Sequence, residues 1–335
     1  MPLWDSLAGL EFRIDDYGLQ RRELVTPSGW RRVTTTVVLE GDGESGEGED
    51  VTYTAEDHDR FPADAPLAGL WTLDDFSRRL DELELWLEEP GMHASRDYRR
   101  WAFESAALDL GLRRAGRSLA ELVGRAYAPV RFVASTRSEI EPYLELNPEL
   151  EFKLDVQEDW DGERMAQLAA YDRVRVVDLK AYYRGTTVDL VPDPELYRAV
   201  VEAFPGVVIE DPWLEDGCRE ALHGAEERLS FDAPVHSLAD LDGLPLAPHW
   251  LNVKPSRFGT VRKLLACMEA CEQRGIRMYG GGQSELGCGR RQIQRLASVF
   301  YSDEPNDVAP SEYNAGPARP GLATSPLPPP EGVGF

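Results

Sequence analysis

The sequence predicts an α/β protein: a parallel (β/α)7-8 barrel of the TIM type preceded by a smaller α+β unit. Three observations carry this. From about residue 130 short apolar runs alternate with helical stretches about eight times, the signature of a closed barrel or an open doubly wound sheet. Before residue 125 the order is instead strands first and helices after. Finally, charged residues end one apolar run after another in the second half. Active-site groups of a barrel gather at the strand ends, so this third pattern favours the closed form.

The N-terminal unit opens with RRVTTTVVLE, a β-branched run, followed by the acidic glycine-rich GDGESGEGED and a second extended run, VTYTAEDH, which together read as a hairpin. TLDDFSRRLDELELWLEE begins on a threonine cap and repeats apolar residues at helical spacing, as does DYRRWAFESAALDLGLRRAGRSLAELVG. Residues 1–125 are therefore one α+β domain. The barrel, residues 126–314, has candidate strands VRFVAST, LEFKLDV, VRVVDLK, GVVIEDP, RLSFDAP, HWLNVKP and IRMYGGG, with NDVAPSEYN as an eighth. Residues 315–335, rich in proline and glycine, form a tail that packs back on the domains or stays mobile.

Composition narrows the class. In 335 residues there are 60 acidic and 36 basic side chains, a formal charge of −24, which argues against a nucleic-acid partner. No run of 18 apolar residues and no basic, apolar leader is present, so a membrane span is not expected and a cytoplasmic location is. Four scattered cysteines lack CxxC spacing; Cys267 and Cys271, one turn apart, read as buried packing. Of the 36 basic residues only four are lysine: 153, 180, 254 and 263. Lysine, unlike arginine, can be tuned by burial to exchange a proton, so each one retained is a candidate for chemistry.

Three of the four stand at predicted strand ends. The ordered series is Lys153 and Asp155, Asp178 and Lys180, Glu210 followed by Asp211, Asp232, and Lys254. Carboxylates on three successive strands can converge on one ion, and a small set of hard oxygen ligands suits Mg²⁺ with positions left for water and substrate. A buried lysine beside a divalent cation loses proton affinity and becomes usable as a base. Asp211 reads instead as a helix-capping or loop-solvated acid. Lys263 falls on a helix where surface charge explains it.

These residues resemble the enolase superfamily, in the branch of muconate-lactonising enzymes, o-succinylbenzoate synthases and dipeptide epimerases. TTVVLEGDGESGEGED resembles the capping-domain hairpin ending in a Gly-Glu pair, here Gly48 and Glu49; WAFESAALDLGLRRAGRSLAELVG resembles the helix that leads from the cap into the barrel. Asp178, Glu210 and Asp232 match the Mg²⁺ ligands of the third, fourth and fifth strands, LNVKPSRFG matches the sixth-strand segment holding a catalytic lysine, Lys254, and YGGGQSELGCGRRQIQRLASV matches the seventh. The resemblance implies Mg²⁺-assisted abstraction of a proton α to the carboxylate of a small acid through an enediolate, with loops at about residues 16–30 and 50–60 covering the mouth. It leaves a homo-oligomer open.

The sequence departs from that branch at two adjacent places. The second strand there carries Lys-x-Lys, the second lysine a base, but here reads Lys153-Leu154-Asp155; the third carries Asp-x-Asn, but here reads Asp178-Leu179-Lys180. Residues two apart share a strand face, so Asp155 and Lys180 should be neighbours at the mouth. Either the base has moved across one strand, with Asp155 as its partner and Lys153 as a positioning charge, or the pair is inert and the barrel is a silent binder of a carboxylate or metal. With the usual second-strand base absent, elimination is slightly preferred over racemisation or epimerisation. Ala233 stands where the branch usually has Glu after the fifth-strand ligand.

Overall fold

The computed structural model describes residues 2–26, 29–62, 65–137, 139–186 and 188–335. The N-terminal unit comprises β1 (Glu11–Ile14), β2 (Asp16–Val25), β3 (Arg31–Gly41), β4 (Glu44–Asp50) and β5 (Gly69–Thr72), then α1 (Leu73–Asp81), α2 (Ser95–Arg114) and α3 (Leu119–Leu122). β2, β3 and β4 form an antiparallel sheet, and β1 pairs with β5. Residues 16–25 are thus the strand β2 rather than a loop over the mouth; Pro27 and Ser28 of the expected loop lie outside the described residues.

The hairpin differs from its sequence reading in an instructive way. The glycine-rich acidic run is itself the second strand, β4, whereas residues 51–59 are irregular and end in a 3-10 turn. Glycine ordinarily weakens a strand. Here it admits a helix: a Cβ on Gly46 would lie 2.2 Å from the carbonyl oxygen of Ala106, and one on Gly48 would lie 2.0 Å from that of Ala102. α2 therefore lies directly against β4. Its residues Trp101, Ala102, Phe103, Ala106 and Leu110 join Val37 and Leu39 of β3 in the core.

α1 stops at Asp81, although the helical pattern runs on through LELWLEE. The chain turns there so that Leu85 and Trp86 can be buried, with the fully buried Arg99 guanidinium over the Trp86 ring at 3.4 Å and donating to the Leu85 carbonyl. Tertiary burial outweighs local periodicity. The second helical run is likewise split at Gly116, whose φ of +62° ends α2 before the Ser118–Glu121 capping box starts α3.

The barrel strands are β6 (Val133–Thr136), β7 (Glu151–Asp155), β8 (Val174–Asp178), β9 (Val208–Glu210), β10 (Leu229–Phe231), β11 (Trp250–Val253) and β12 (Arg277–Gly280). They alternate with α4 (Glu141–Leu146), α5 (Gly162–Ala170), α6 (Pro194–Ala203), α7 (Cys218–Ala221), α8 (Leu238–Asp242) and α9 (Val261–Arg274), and α10 (Cys288–Phe300) follows β12. All seven strands pair in sequence order and in parallel. The eighth candidate contributes single bridges: Asn306 to Phe132 beside β6 and Asp307 to Gly281 beyond β12. Backbone bonds on both sides, Val133 N–H to Asn306 O and Asp307 N–H to Gly280 O, both 2.8 Å, close the ring. The tail packs back: Leu327 pairs with Val130, and the Phe335 ring is buried against Trp101. Among the described residues no helix is long and apolar enough to cross a membrane.

Candidate active site

Alternation along the short strands decides which side chains face the barrel axis. On β7, Phe152 and Leu154 join the core outside the ring while Lys153 and Asp155 point inward; on β8, Val177 packs outward while Val176 and Asp178 face in. A dry layer of Val176, Val208, Trp250 and Tyr279 fills the barrel below the charges. Lys153, Asp155, Asp178, Glu210, Asp232 and Lys254 are all buried at the C-terminal ends of their strands. The ring of strands brings these distant sequence positions into one cluster.

On the β7–β8 side, Lys153 Nζ contacts Glu210 Oε1, lies 3.1 Å from Asp178 Oδ2 and 3.7 Å from Asp307 Oδ2. Lys180 Nζ contacts Asp178 Oδ2 and lies 3.2 Å from Asp155 Oδ1, so Asp155 and Lys180 are the neighbours that their spacing predicts. Lys180 has φ +50°, a left-handed conformation uncommon for a lysine, and its backbone N–H donates to Asp178 Oδ1 at 2.9 Å. Burial opposes charge on both lysines, but Glu210 and Asp178 around Lys153, and Asp155 and Asp178 around Lys180, hold them well above the ordinary lysine range. Asp178 sits well below the usual carboxylate range, burial being outweighed by Lys180 and Lys153.

On the β10–β11 side, Lys254 Nζ lies 2.8 Å from Asp232 Oδ2, and Arg257 Nη1 lies 2.9 Å from Asp232 Oδ1. The Tyr183 hydroxyl donates to Asp232 Oδ2 at 3.1 Å and accepts from Arg257 Nη2 at 3.0 Å. Burial opposes charge on Lys254 as well, yet Asp232 raises its pKa above the ordinary value. Arg257, Tyr183 and Asp307 are site residues that the sequence reading missed. Arg257 lies inside the quoted LNVKPSRFG and Asp307 inside the candidate eighth strand, so both had a signal; Tyr183, on the loop after β8, had none.

Between the two sides stands Glu210. Tyr279 donates its hydroxyl to Oε2, which also accepts from Asn252 Nδ2 at 3.1 Å. Burial raises the Glu210 carboxyl to about 8 despite Lys153, and burial with the neighbouring charges of Asp232 and Asp178 raises Asp211 to about 7. Asp211 is neither a helix cap nor solvated: it is fully buried, has φ +50°, and its carboxylate accepts backbone N–H groups of Asp232 (2.8 Å) and Ala233 (3.1 Å). A turn back onto the next strand leaves it no route to water.

The donor chemistry fits a divalent cation. Carboxylate oxygens of Asp178, Glu210 and Asp211 lie within 4.8 Å of one another. Six acids (Asp155, Asp178, Glu210, Asp211, Asp232, Asp307) face five bases (Lys153, Lys180, Lys254, Arg257 and, 3.6 Å from Asp155, Arg137), an excess of one negative charge when all are ionised. Burial first, and then the neighbouring carboxylates, push Glu210 and Asp211 up to near-neutral values. Of the third-ligand candidates, Asp232 is held by Lys254 and Arg257, whereas Asp211 belongs to the geometric cluster. Glu285, on the loop after β12, pairs with Arg290 at 2.9 Å and accepts the Gln283 N–H at 2.6 Å, a structural role.

Comparison with known proteins places this arrangement. Residues 5–122 and 126–315 match the N-terminal and C-terminal domain models of a family described as a domain of unknown function, DUF8230. A curated N-succinylamino acid racemase from Amycolatopsis sp is 28% identical over 256 residues, covering 68% of each chain. Among solved structures, the dipeptide epimerase from Methylococcus capsulatus complexed with Mg ion superposes with a TM-score of 0.72 at 19% identity over 96% of this chain and 99% of that one. Muconate cycloisomerase from Pseudomonas fluorescens gives 0.65 at 19% over 89% and 87%. A member of the enolase superfamily from Listeria innocua gives 0.64 at 18% over 90% and 86%. These structural likenesses establish the fold, and the resemblance read from the strand-end residues is borne out. The chain belongs to the DUF8230 family and has the capped-barrel fold that muconate cycloisomerase, dipeptide epimerase and other enolase-superfamily structures share.

Proposed function

We propose that the protein is a Mg²⁺-dependent lyase or isomerase that removes a proton α to the carboxylate of a small organic acid, with Lys254 and Lys180 as its acid/base groups. The observation that carries this is their placement: Lys254 enters the carboxylate cluster from the end of β11 and Lys180 from the end of β8, on different sides of Glu210. Asp178 and Glu210 would hold the ion, with Asp232 as third ligand from the resemblance and Asp211 as third by geometry. Bound there, Mg²⁺ would supply positive charge to a substrate carboxylate and so ease the negative charge that develops as the α-proton leaves.

The protein's own groups do the rest. The flanking carboxylates favour the ammonium form of both lysines, so each is ready to deliver a proton; either becomes a base once its partner carboxylate is neutralised. Asp155 fixes Lys180, and Arg257 with Tyr183 fixes Asp232 and through it Lys254. Lys153 neutralises the deepest pair, Asp178 and Glu210. Elimination needs one lysine. With Lys180 beside Asp155 the reason for preferring it lapses, and racemisation or epimerisation, the activity in the name of the curated relative, is equally supported.

A second reading has a specific observation behind it. The oxygens of Asp178, Glu210 and Asp232 are already engaged by protein donors, as expected of a barrel that keeps the fold and binds a carboxylate or metal without turnover. Incubation with Mg²⁺ and a panel of small carboxylic acids in D₂O separates the two. Catalysis gives loss of an α-proton signal that Lys254→Ala abolishes for at least one enantiomer of the acid. No exchange with any acid, joined to no Mg²⁺-dependent rise in thermal stability, would sink the enzyme.

A further inference from the structure

The cap's hairpin carries two fully buried charged residues whose bonding partners lie largely on the barrel. Glu49, the last but one residue of β4, accepts four bonds from three backbone N–H groups at the start of α10: Leu286 at 2.7 Å, Gly287 at 2.9 and 3.0 Å, and Gly289 at 2.8 Å. α10 has no side-chain cap of its own, so a carboxylate from the other domain satisfies the exposed N–H groups and the positive end of its dipole. The approach is tight: a Cβ on Gly289 would lie 2.8 Å from Glu49 Oε2. Arg32 of β3 spans the same junction. Its guanidinium donates to the Gln283 and Ser284 carbonyls at 2.9 and 3.1 Å and to the cap carbonyls of Val51 and Thr52 at 2.8 and 2.6 Å.

The loop so held is the wall against which Lys254 lies. A Cβ on Gly281 would fall 2.9 Å from Lys254 Cε and 2.2 Å from Asn252 Oδ1, so the bare glycine backbone touches the lysine side chain. Two residues on, Gln283 Nε2 donates to Ser256 Oγ at 2.6 Å, and Ser256 follows Lys254 by two positions. Ser284, between the two carbonyls Arg32 grips, has φ +53°, a conformation that surrounding contacts must hold.

We infer that Arg32 and Glu49 are cap-borne positioning residues that set the Lys254 side of the mouth through the 281–289 loop. The inference rests on the proposed role of Lys254 as an acid/base group. Neither residue touches the carboxylate cluster; they act by fixing the loop that fixes the lysine. An error near 1 Å in a reacting group costs on the order of 100-fold in rate, so loosening the loop should lower kcat while leaving KM nearly unchanged.

The test compares Glu49→Ala and Glu49→Gln with Leu39→Ala, a cap-core variant away from the loop. Hydrogen-exchange mass spectrometry on the substrate-free proteins should show faster exchange in Glu49→Ala both at 286–289 and at 253–258, where the Arg257 N–H bonds the Lys254 carbonyl; Leu39→Ala should leave 253–258 protected. With an exchanging acid, Glu49→Ala should lower kcat roughly 10- to 100-fold and shift the Lys254 limb of the pH–rate profile. Glu49→Gln, keeping one acceptor oxygen and most able to fold, should fall between. Exchange confined to 286–289, or a pH profile and per-site rate matching Leu39→Ala, would overturn the inference. If the unaltered protein exchanges no acid, the proposed function fails, while the hydrogen-exchange pattern still decides whether the cap is coupled to the Lys254 segment.

Discussion

The two sides of the barrel mouth are built on opposite logic. On the β10–β11 side one carboxylate, Asp232, is shared by two cations and a phenol: Lys254, Arg257 and Tyr183. On the β7–β8 side three cations share four carboxylates: Lys153 with Glu210, Asp178 and Asp307, Lys180 with Asp178 and Asp155, and Arg137 with Asp155. The first side is rich in positive charge. The second sets an acid, Asp155, beside a base, Lys180, on neighbouring strands, and holds Lys180 in a left-handed conformation to do so. The difference teaches that one side fixes a single carboxylate with surplus cations while the other holds its cations among surplus carboxylates.

The largest expected effect comes from moving the base back. Lys180→Asn alone and Asp155→Lys alone should each reduce α-proton exchange by about 10²- to 10⁴-fold, the range for losing a general acid or base. The double variant should recover much of it, because it restores a lysine on β7 and because asparagine accepts a left-handed φ more readily than lysine does. A double-mutant cycle on exchange rate measures the coupling; strict additivity would show that the two positions do not form one unit.

Breaking the fixed side is next. Arg257→Met leaves Asp232 with one cationic partner in a dry setting, and removing one member of a buried ion pair costs about 3–5 kcal/mol. Urea denaturation should show a loss of that order. Lys263, exposed on α9, should tolerate replacement by alanine within about 0.5 kcal/mol. An equal loss at both would remove the distinction between site and surface charge.

The two raised carboxyls predict a pH dependence. Glu210 and Asp211, held at about 8 and 7 in the fold against ordinary values of 4.5 and 3.8, bind protons more tightly folded than unfolded. Their contribution is complete below the unfolded values and is lost as pH rises through the folded ones. Metal-free protein should therefore lose thermal stability from about pH 4 to about pH 8. Asp178 and Asp232, shifted the other way, act below about pH 4. Mg²⁺ should restore stability at pH 8 and release protons on binding at pH 7, measurable by calorimetry in buffers of different ionisation enthalpy. Asp211→Asn and Asp232→Asn distinguish the third ligand: the true one weakens the Mg²⁺-dependent shift more.

The smallest effect lies far from the charges. Gly48→Ala should destabilise the cap by about 1–3 kcal/mol through overpacking against α2, seen in the denaturation midpoint.

The alternation after residue 130 and the strand-end charges made the barrel legible, down to the last turn of most strands, because buried parallel strands are short apolar runs whose ends are marked by polar residues. Asp155 beside Lys180 was legible for the same reason: a period of two fixes the face. The β4 strand was not, since GESGEGED has no strand propensity; only α2 lying against it explains glycines there. Nor was the end of α1, set by the burial of Leu85 and Trp86 around Arg99. Asp211 was misread because the N–H groups that it binds, just after β10, arrive 21 and 22 residues later in sequence. Tyr183 could not be found at all, since its role depends on how one loop folds across the mouth.

The most direct measurement follows both enantiomers of whichever acid exchanges in D₂O, by NMR, in Lys254→Ala and Lys180→Met. Two lysines on different sides of the cluster predict that each variant stops exchange of a different enantiomer while Mg²⁺-dependent stability persists in both. Loss of the same enantiomer in both variants, or unchanged exchange in Lys180→Met, would contradict the account.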